Sequence, residues 1–184
     1  MSLDVTPTRL PGLLLVETPV FPDSRGLFSE IFRADAYEAA GIPGPFVQDN
    51  QSLSVRGVVR GLHFQRSRPQ GKLVTCVQGE IFDVAVDLRR SSPFFGQWEG
   101  FTLSGDAGTQ VYIPEGFAHG FCALSQTALV VYKCTDFYCP GDDRGIRWDD
   151  PDLAIPWPVD HPVLSEKDRN LPRLAGLAPE LLFD

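Results

Sequence analysis

The sequence predicts an all-β fold, a barrel or sandwich of short strands with few and short helices. Short apolar runs recur along its 184 residues, and 17 glycines and 16 prolines are scattered between them rather than gathered in a linker. Several runs alternate apolar with polar residues, the period of a half-buried strand. Turn residues at close spacing with little helical signal point to a sheet closed on itself or packed on another sheet.

In chain order the predicted strands are "LLLVETPV" (13–20), "LFSEIF" (27–32), "KLVTCVQ" (72–78), "EIFDVAVDL" (80–88), "QWEGFTL" (97–103), "TQVYIP" (109–114), "HGFCAL" (119–124) and "ALVVYKCTDFY" (128–138). A short helix is predicted over "RADAYEAAG" (33–41), stopped by Gly41. A second is expected near "SEKDRNL" (165–171), where the Ser165 hydroxyl can cap. From about residue 140 the chain is rich in proline and tryptophan with weak periodicity, and is expected to wrap the barrel irregularly. The length is most simply one domain, residues 1–184.

Hydrophobic residues make up 43% of the chain, enough for a sizeable core. A net charge of -8 argues against nucleic acid and anionic membrane as partners, because both need basic patches. An anionic small ligand remains compatible if a few arginines and lysines converge. The N-terminus "MSLDVTPTRLPG" lacks a basic stretch followed by an apolar one, so no secretory signal is expected. No apolar run approaches the roughly 18 residues that would span a bilayer. Cys76, Cys122, Cys134 and Cys139 form no C-x-x-C pair and are expected to be reduced thiols in a cytoplasmic protein.

The chemistry concentrates in "GVVRGLHFQRSRPQGKLVTCVQG" (57–79). Five residues separate Gly57 from His63, Gln65 follows at the next position but one, and six residues separate Lys72 from Gly79. This resembles the first motif of the cupins, whose metal-binding members carry two histidines and a glutamate as ligands. Gln65 stands at the second histidine and Lys72 at the glutamate. The second cupin motif is matched by Gly108, Pro114, Gly116 and His119, with Ala123 at its usual asparagine. The resemblance implies a cupin-type jelly-roll β-barrel.

A divalent cation favours imidazole and carboxylate donors, and an ammonium in place of an anionic ligand disfavours it. No metal and no cofactor is therefore expected. Read as core residues, His63 and His119 would leave the nearby cations Arg60 and Lys72 unexplained. A histidine near cations suits a base, and a lysine near a carbonyl oxygen suits a developing enolate.

Eight segments then resemble one family in order: "FPDSRGLFSEIF" (21–32), "FVQDNQS" (46–52), "GVVRGLHFQ" (57–65), "QGKLVTCVQGEIFDVAVDLRRSSPFFGQW" (70–98), "IPEGFAHGFCALS" (113–125), "VYKCTDFY" (131–138), "IRWDDPDLAIPWP" (146–158) and "LSEKDRNLP" (164–172). They are similar to the dTDP-4-dehydrorhamnose 3,5-epimerases, metal-free cupins that epimerise dTDP-4-dehydro-6-deoxy-D-glucose at carbons 3 and 5. The resemblance implies His63 as the base, Asp168 as its orienting carboxylate, Lys72 beside the ketone oxygen and Tyr132 as the acid on the other face. It implies Arg25, Arg60 and Lys167 at the diphosphate, and Glu30, Gln48, Asn50 and His119 on the nucleotide or sugar. Tyr138 would stack on thymine. Asp143 lies where the family often has glutamate, which leaves its role less defined. The family's members are homodimers that exchange N-terminal strands, here about residues 10–35, so Arg25 and Glu30 of one protomer would serve the other's pocket.

Other readings stay open from the residues alone. A relative that epimerises only carbon 3, or a ketoisomerase on the same substrate, would share barrel and base. A metal cupin such as a dioxygenase is disfavoured by Lys72. A non-catalytic nucleotide-sugar module would keep the arginines without a reason to pair His63 with Asp168. Arg25 could simply occupy a turn, Phe137 and Tyr138 could be edge-strand packing, and His161 is given no function.

Overall fold

The computed structural model describes residues 3–184. In chain order the strands are β1 (Asp4–Pro7), β2 (Leu14–Glu17), β3 (Val20–Asp23), β4 (Gly26–Ser29), β5 (Gln48–Val55), β6 (Val59–Gln65), β7 (Lys72–Gln78), β8 (Glu80–Asp87), β9 (Trp98–Ser104), β10 (Thr109–Ile113), β11 (Phe117–Ala123), β12 (Thr127–Cys134) and β13 (Asp143–Gly145). Helix α1 (Ala34–Ala39) precedes β5, and α2 (Glu166–Arg169) follows β13. One sheet runs β1-β2-β10-β7-β12-β5, a second runs β13-β6-β11-β8-β9, and β3 and β4 form a separate two-stranded hairpin. This is an all-β, cupin-type barrel with few and short helices.

Alternation along the strands sorts the core into layers. Val74 and Cys76 on β7, Val111 and Ile113 on β10, Phe117 and Phe121 on β11 and Ala128 and Val130 on β12 share one cluster between the sheets. The alternate residues of the five-stranded sheet, Val84, Val86, Ala118 and Cys122, face the other way and pack under Leu153, Ile155, Trp157, Leu182 and Phe183 of the C-terminal segment. A third cluster, Val16, Leu73 and Tyr112 with Tyr37 and Ile42, seals the six-stranded sheet beneath the α1 segment. Fully burying each such aliphatic side chain is worth about 1.5–3 kcal/mol.

Several predicted boundaries shift for identifiable reasons. The run 13–20 splits into β2 and β3 at Pro19, which has no N–H to donate to a ladder. The run 27–32 is strand only through Ser29, and the run 128–138 stops at Cys134, after which the chain turns across the mouth of the barrel. Ser165 caps α2 as expected, its Oγ accepting from the Asp168 amide at 3.0 Å. β1, β5, β6 and β13 were not among the predicted strands. The four cysteines are free thiols, three of them buried.

Candidate active site

The barrel opens at one end into a cavity with two lobes of about 340 and 320 Å³, which share His63, Lys72, Tyr132 and Lys167 as walls. Adjacent strands supply most of its residues. His63 on β6 stands opposite His119 on β11 in the ladder, Lys72 on β7 opposite Cys134 on β12, and Tyr132 on β12 opposite Asn50 on β5. Tyr132 continues the inward row of Ala128 and Val130, and Lys72 the row of Val74 and Cys76. The apolar inner core thus gives way to polar side chains at the open end.

His63 Nε2 lies 2.6 Å from Asp168 Oδ1, and Asp168 is 3% exposed. Burial pushes the Asp168 pKa up, but the His63 hydrogen bond and charge, Ser165 and Lys167 outweigh it, so the net shift is downward. An ionised carboxylate only accepts, so Nε2 carries the hydrogen and Nδ1 is left as the imidazole's basic atom. A second pair, His119 Nε2 with Asp83 Oδ2 at 2.7 Å, lies within the barrel, where Asp83 is 0% exposed and its Oδ1 has no hydrogen-bond partner.

Lys72 is held below its ordinary pKa by burial, opposed by the charges of Cys134, Asp83 and Asp143. Tyr132 is raised, chiefly by burial, which keeps its phenol protonated. Arg60 reaches the second lobe and donates from Nε to Ser54 Oγ at 3.0 Å. In the first lobe Asp143 Oδ2 accepts from the Tyr138 hydroxyl at 2.8 Å and from the Lys167 ammonium. Gln48 Nε2 donates to Asn50 Oδ1 at 3.1 Å on the same wall.

Eleven of the 13 residues singled out from the sequence therefore converge: His63, Lys72, Tyr132 and Asp168 with Gln48, Asn50, Arg60, His119, Tyr138, Asp143 and Lys167. Arg25 and Glu30 stand apart in this chain. Arg25 sits in the β3–β4 turn, 88% of its side chain exposed and paired with Asp23, and Glu30 lies 3.7 Å from Arg33. The sequence reading passed over Gln51, Ser52, Gln70 and Asp83. Only Asp83 carried a signal, a carboxylate in the middle of the inward row of "EIFDVAVDL", between Ile81 and Ala85. Among the described residues no three His, Cys, Asp or Glu side chains gather as a metal-ligand group, and no helix is long and apolar enough to cross a membrane.

The arrangement suits proton transfer at carbon next to a carbonyl: an oriented imidazole, a neighbouring ammonium and a protonated phenol in one cavity, with cations at the rim for an anionic group. Comparison with known proteins adds to this geometry. Residues 7–176 match the family described as dTDP-4-dehydrorhamnose 3,5-epimerase. The chain is 55% identical to a dTDP-4-dehydrorhamnose 3,5-epimerase of Methanothermobacter thermautotrophicus, over 89% of this chain and 90% of the relative. It is 54% identical to the enzyme of that name from Pseudomonas aeruginosa, over 91% and 93%. The crystal structure of a dTDP-6-deoxy-D-glucose-3,5-epimerase from Legionella pneumophila, in complex with dTDP-4-keto-L-rhamnose, superposes with a TM-score of 0.94 at 48% identity, covering 98% of this chain and 97% of that one.

Proposed function

The chain belongs to the dTDP-4-dehydrorhamnose 3,5-epimerase family, and from that premise we propose that it converts dTDP-4-dehydro-6-deoxy-D-glucose to dTDP-4-dehydro-6-deoxy-L-mannose, the precursor of dTDP-L-rhamnose. The observation that carries this reading is the His63–Asp168 pair at 2.6 Å, sharing a cavity with Lys72 and Tyr132.

The 4-keto group acidifies the hydrogens on carbons 3 and 5. His63 takes the proton, the C–H electron pair becomes the enolate double bond, and the negative charge moves to the ketone oxygen. The Lys72 ammonium balances that charge. Asp168 holds the imidazole's tautomer and supports the imidazolium as it forms. A proton returned from the opposite face inverts the carbon. Tyr132 supplies it at carbon 5, and the phenolate and imidazolium then reset by exchange with solvent.

Tyr138 offers its ring to thymine, while Arg60 and Lys167 meet the diphosphate. Gln48, Asn50, His119 and Asp143 contact the nucleotide or sugar. Arg25 and Glu30 reach the pocket from a second copy in a homodimer with exchanged N-terminal strands. What supports the dimer is exposed apolar surface on the hairpin, with Phe28 at 62%, and on the outer face of edge strand β5, with Leu53 at 63%.

Incubation with substrate in heavy water tests the reading. Mass spectrometry and proton NMR should find deuterium at both carbons 3 and 5. Label at one carbon alone would instead indicate a single epimerase, and label at neither a binding module. His63→Ala should cut uptake by roughly 10²–10⁴-fold while dTDP still binds. Tyr132→Phe should slow turnover at carbon 5 more than proton abstraction at carbon 3, and equal losses would count against its role as the acid.

A further inference from the structure

We propose that Gln65, standing where a metal cupin has its second histidine, is a positioning residue for nucleotide binding: it clamps the loop that presents Tyr138. The inference deepens the reading above and rests on its assignment of the Tyr138 ring to the nucleobase.

Gln65 ends β6, two residues beyond His63, and is 4% exposed. Its amide is spent on two loops. Nε2 donates to the Arg68 carbonyl at 2.7 Å and the Phe137 carbonyl at 3.2 Å, and Oε1 accepts from the Cys139 amide at 2.7 Å. The last two partners flank Tyr138. Gln48 Oε1 takes the Tyr138 amide itself at 2.8 Å. Asp143, the ladder partner of Gln65, takes the Tyr138 hydroxyl at 2.8 Å. Three successive residues of an otherwise irregular loop are thus held from inside the barrel.

The Tyr138 ring nevertheless stays half-exposed. A stacking surface needs that combination, an aromatic face open to the ligand on a backbone already fixed, because ordering it at binding would subtract from affinity. The residue type follows from the partners. A primary amide has two donors and an acceptor on one terminus; a carboxylate would face two carbonyls with no hydrogen to give, and an imidazole has too few donors. With both donors and one oxygen lone pair committed to backbone, Gln65 acts through the loop.

The test is dTDP affinity and steady-state kinetics of Gln65→Met, which keeps length and loses all three hydrogen bonds. The Kd for dTDP and the KM should rise roughly tenfold, the scale of one base–aromatic stacking contact, with kcat reduced about threefold at most. Gln65→Glu should shift them the same way. Combined with Tyr138→Ala, Gln65→Met should add nothing further to Kd, because both changes remove one interaction. Unaltered affinity in Gln65→Met, or a full additive loss in the double variant, overturns the proposal. Hydrogen exchange on the unmutated protein guards against a variant that does not fold. The Cys139 amide, which donates to Gln65 Oε1, should exchange well below free-loop rates, and exchange at those rates overturns the clamp. Failure of the unmutated protein to bind dTDP would sink the epimerase reading instead, and the amide protection would still report on the clamp.

Discussion

Lys72 carries a conflict between folding and chemistry. In the proposed reaction its ammonium stands beside a forming enolate, yet burial makes that charge costly and lowers its pKa from 10.5. Between the lowered folded value and 10.5 the unfolded chain binds more protons than the folded one, so the stability contribution of this group rises with pH across that window. Below the folded value the penalty is present in full. Lys72→Met should therefore raise the melting temperature at neutral pH, and the gain should shrink as pH climbs toward the ordinary lysine value. The same variant should lose roughly 10²–10³ in kcat. Thermal unfolding of both proteins across that range checks it, and a methionine variant less stable at neutral pH would contradict it. This residue was legible from sequence, because a lysine in a ligand position is a local oddity. Asp83 was less so: its meaning depends on His119 lying across the sheet, 36 residues away.

β5 shows why part of the site was hidden at the level of elements. Its inner face is Gln48, Asn50, Ser52 and Ser54, and its outer face carries the exposed Leu53 and Val55. Strand recognition assumes that apolar residues point inward, and here the inward row is polar because it lines a cavity. β6 was obscured in the same way, since Arg60, Gly61, His63 and Gln65 break any apolar alternation. Of the strands that were legible, β7 to β12 supply most of the apolar core between and under the sheets. Gly61 shows how tightly β6 is fitted. It has a φ of +124°, and a Cβ there would lie 2.5 Å from Gly120 Cα on β11. Gly61→Ala must push β6 off β11 beside the His63–His119 pair. We expect a loss of about 2 kcal/mol or more and a melting temperature lower by roughly 4–8 °C. Proton exchange at carbon 3 should fall as His63 shifts. Calorimetry with the heavy-water assay reads both, and an alanine variant of unchanged stability would refute the close packing.

At the scale of the whole molecule, the barrel was legible in the spacing of its strands, but the composition of the site was not, because two of the residues assigned to it by resemblance do not line the cavity of this chain. Arg25 and Glu30 remain outside the cavity, on a hairpin whose Phe21, Leu27 and Phe28 are exposed. An apolar hairpin and an edge strand with an apolar outer face would each lose exposed surface if the hairpin of one copy packed beside β5 of another. In a two-fold dimer this happens twice, and each pocket then combines its own His63 with its partner's Arg25. Phe28→Asp should break the assembly, with the mass in light scattering falling by half. Complementation then decides which chain Arg25 serves. His63→Ala and Arg25→Ala proteins, each weak alone, are to be co-expressed so that mixed dimers form. If Arg25 acts across the interface, one pocket of every mixed dimer keeps both residues, and activity should recover to roughly a quarter of the unmutated level at random pairing. If Arg25 serves its own chain, every pocket in the mixture lacks one of the two. Activity then stays at the level of the single variants, which would leave the hairpin without a role in a neighbour's site.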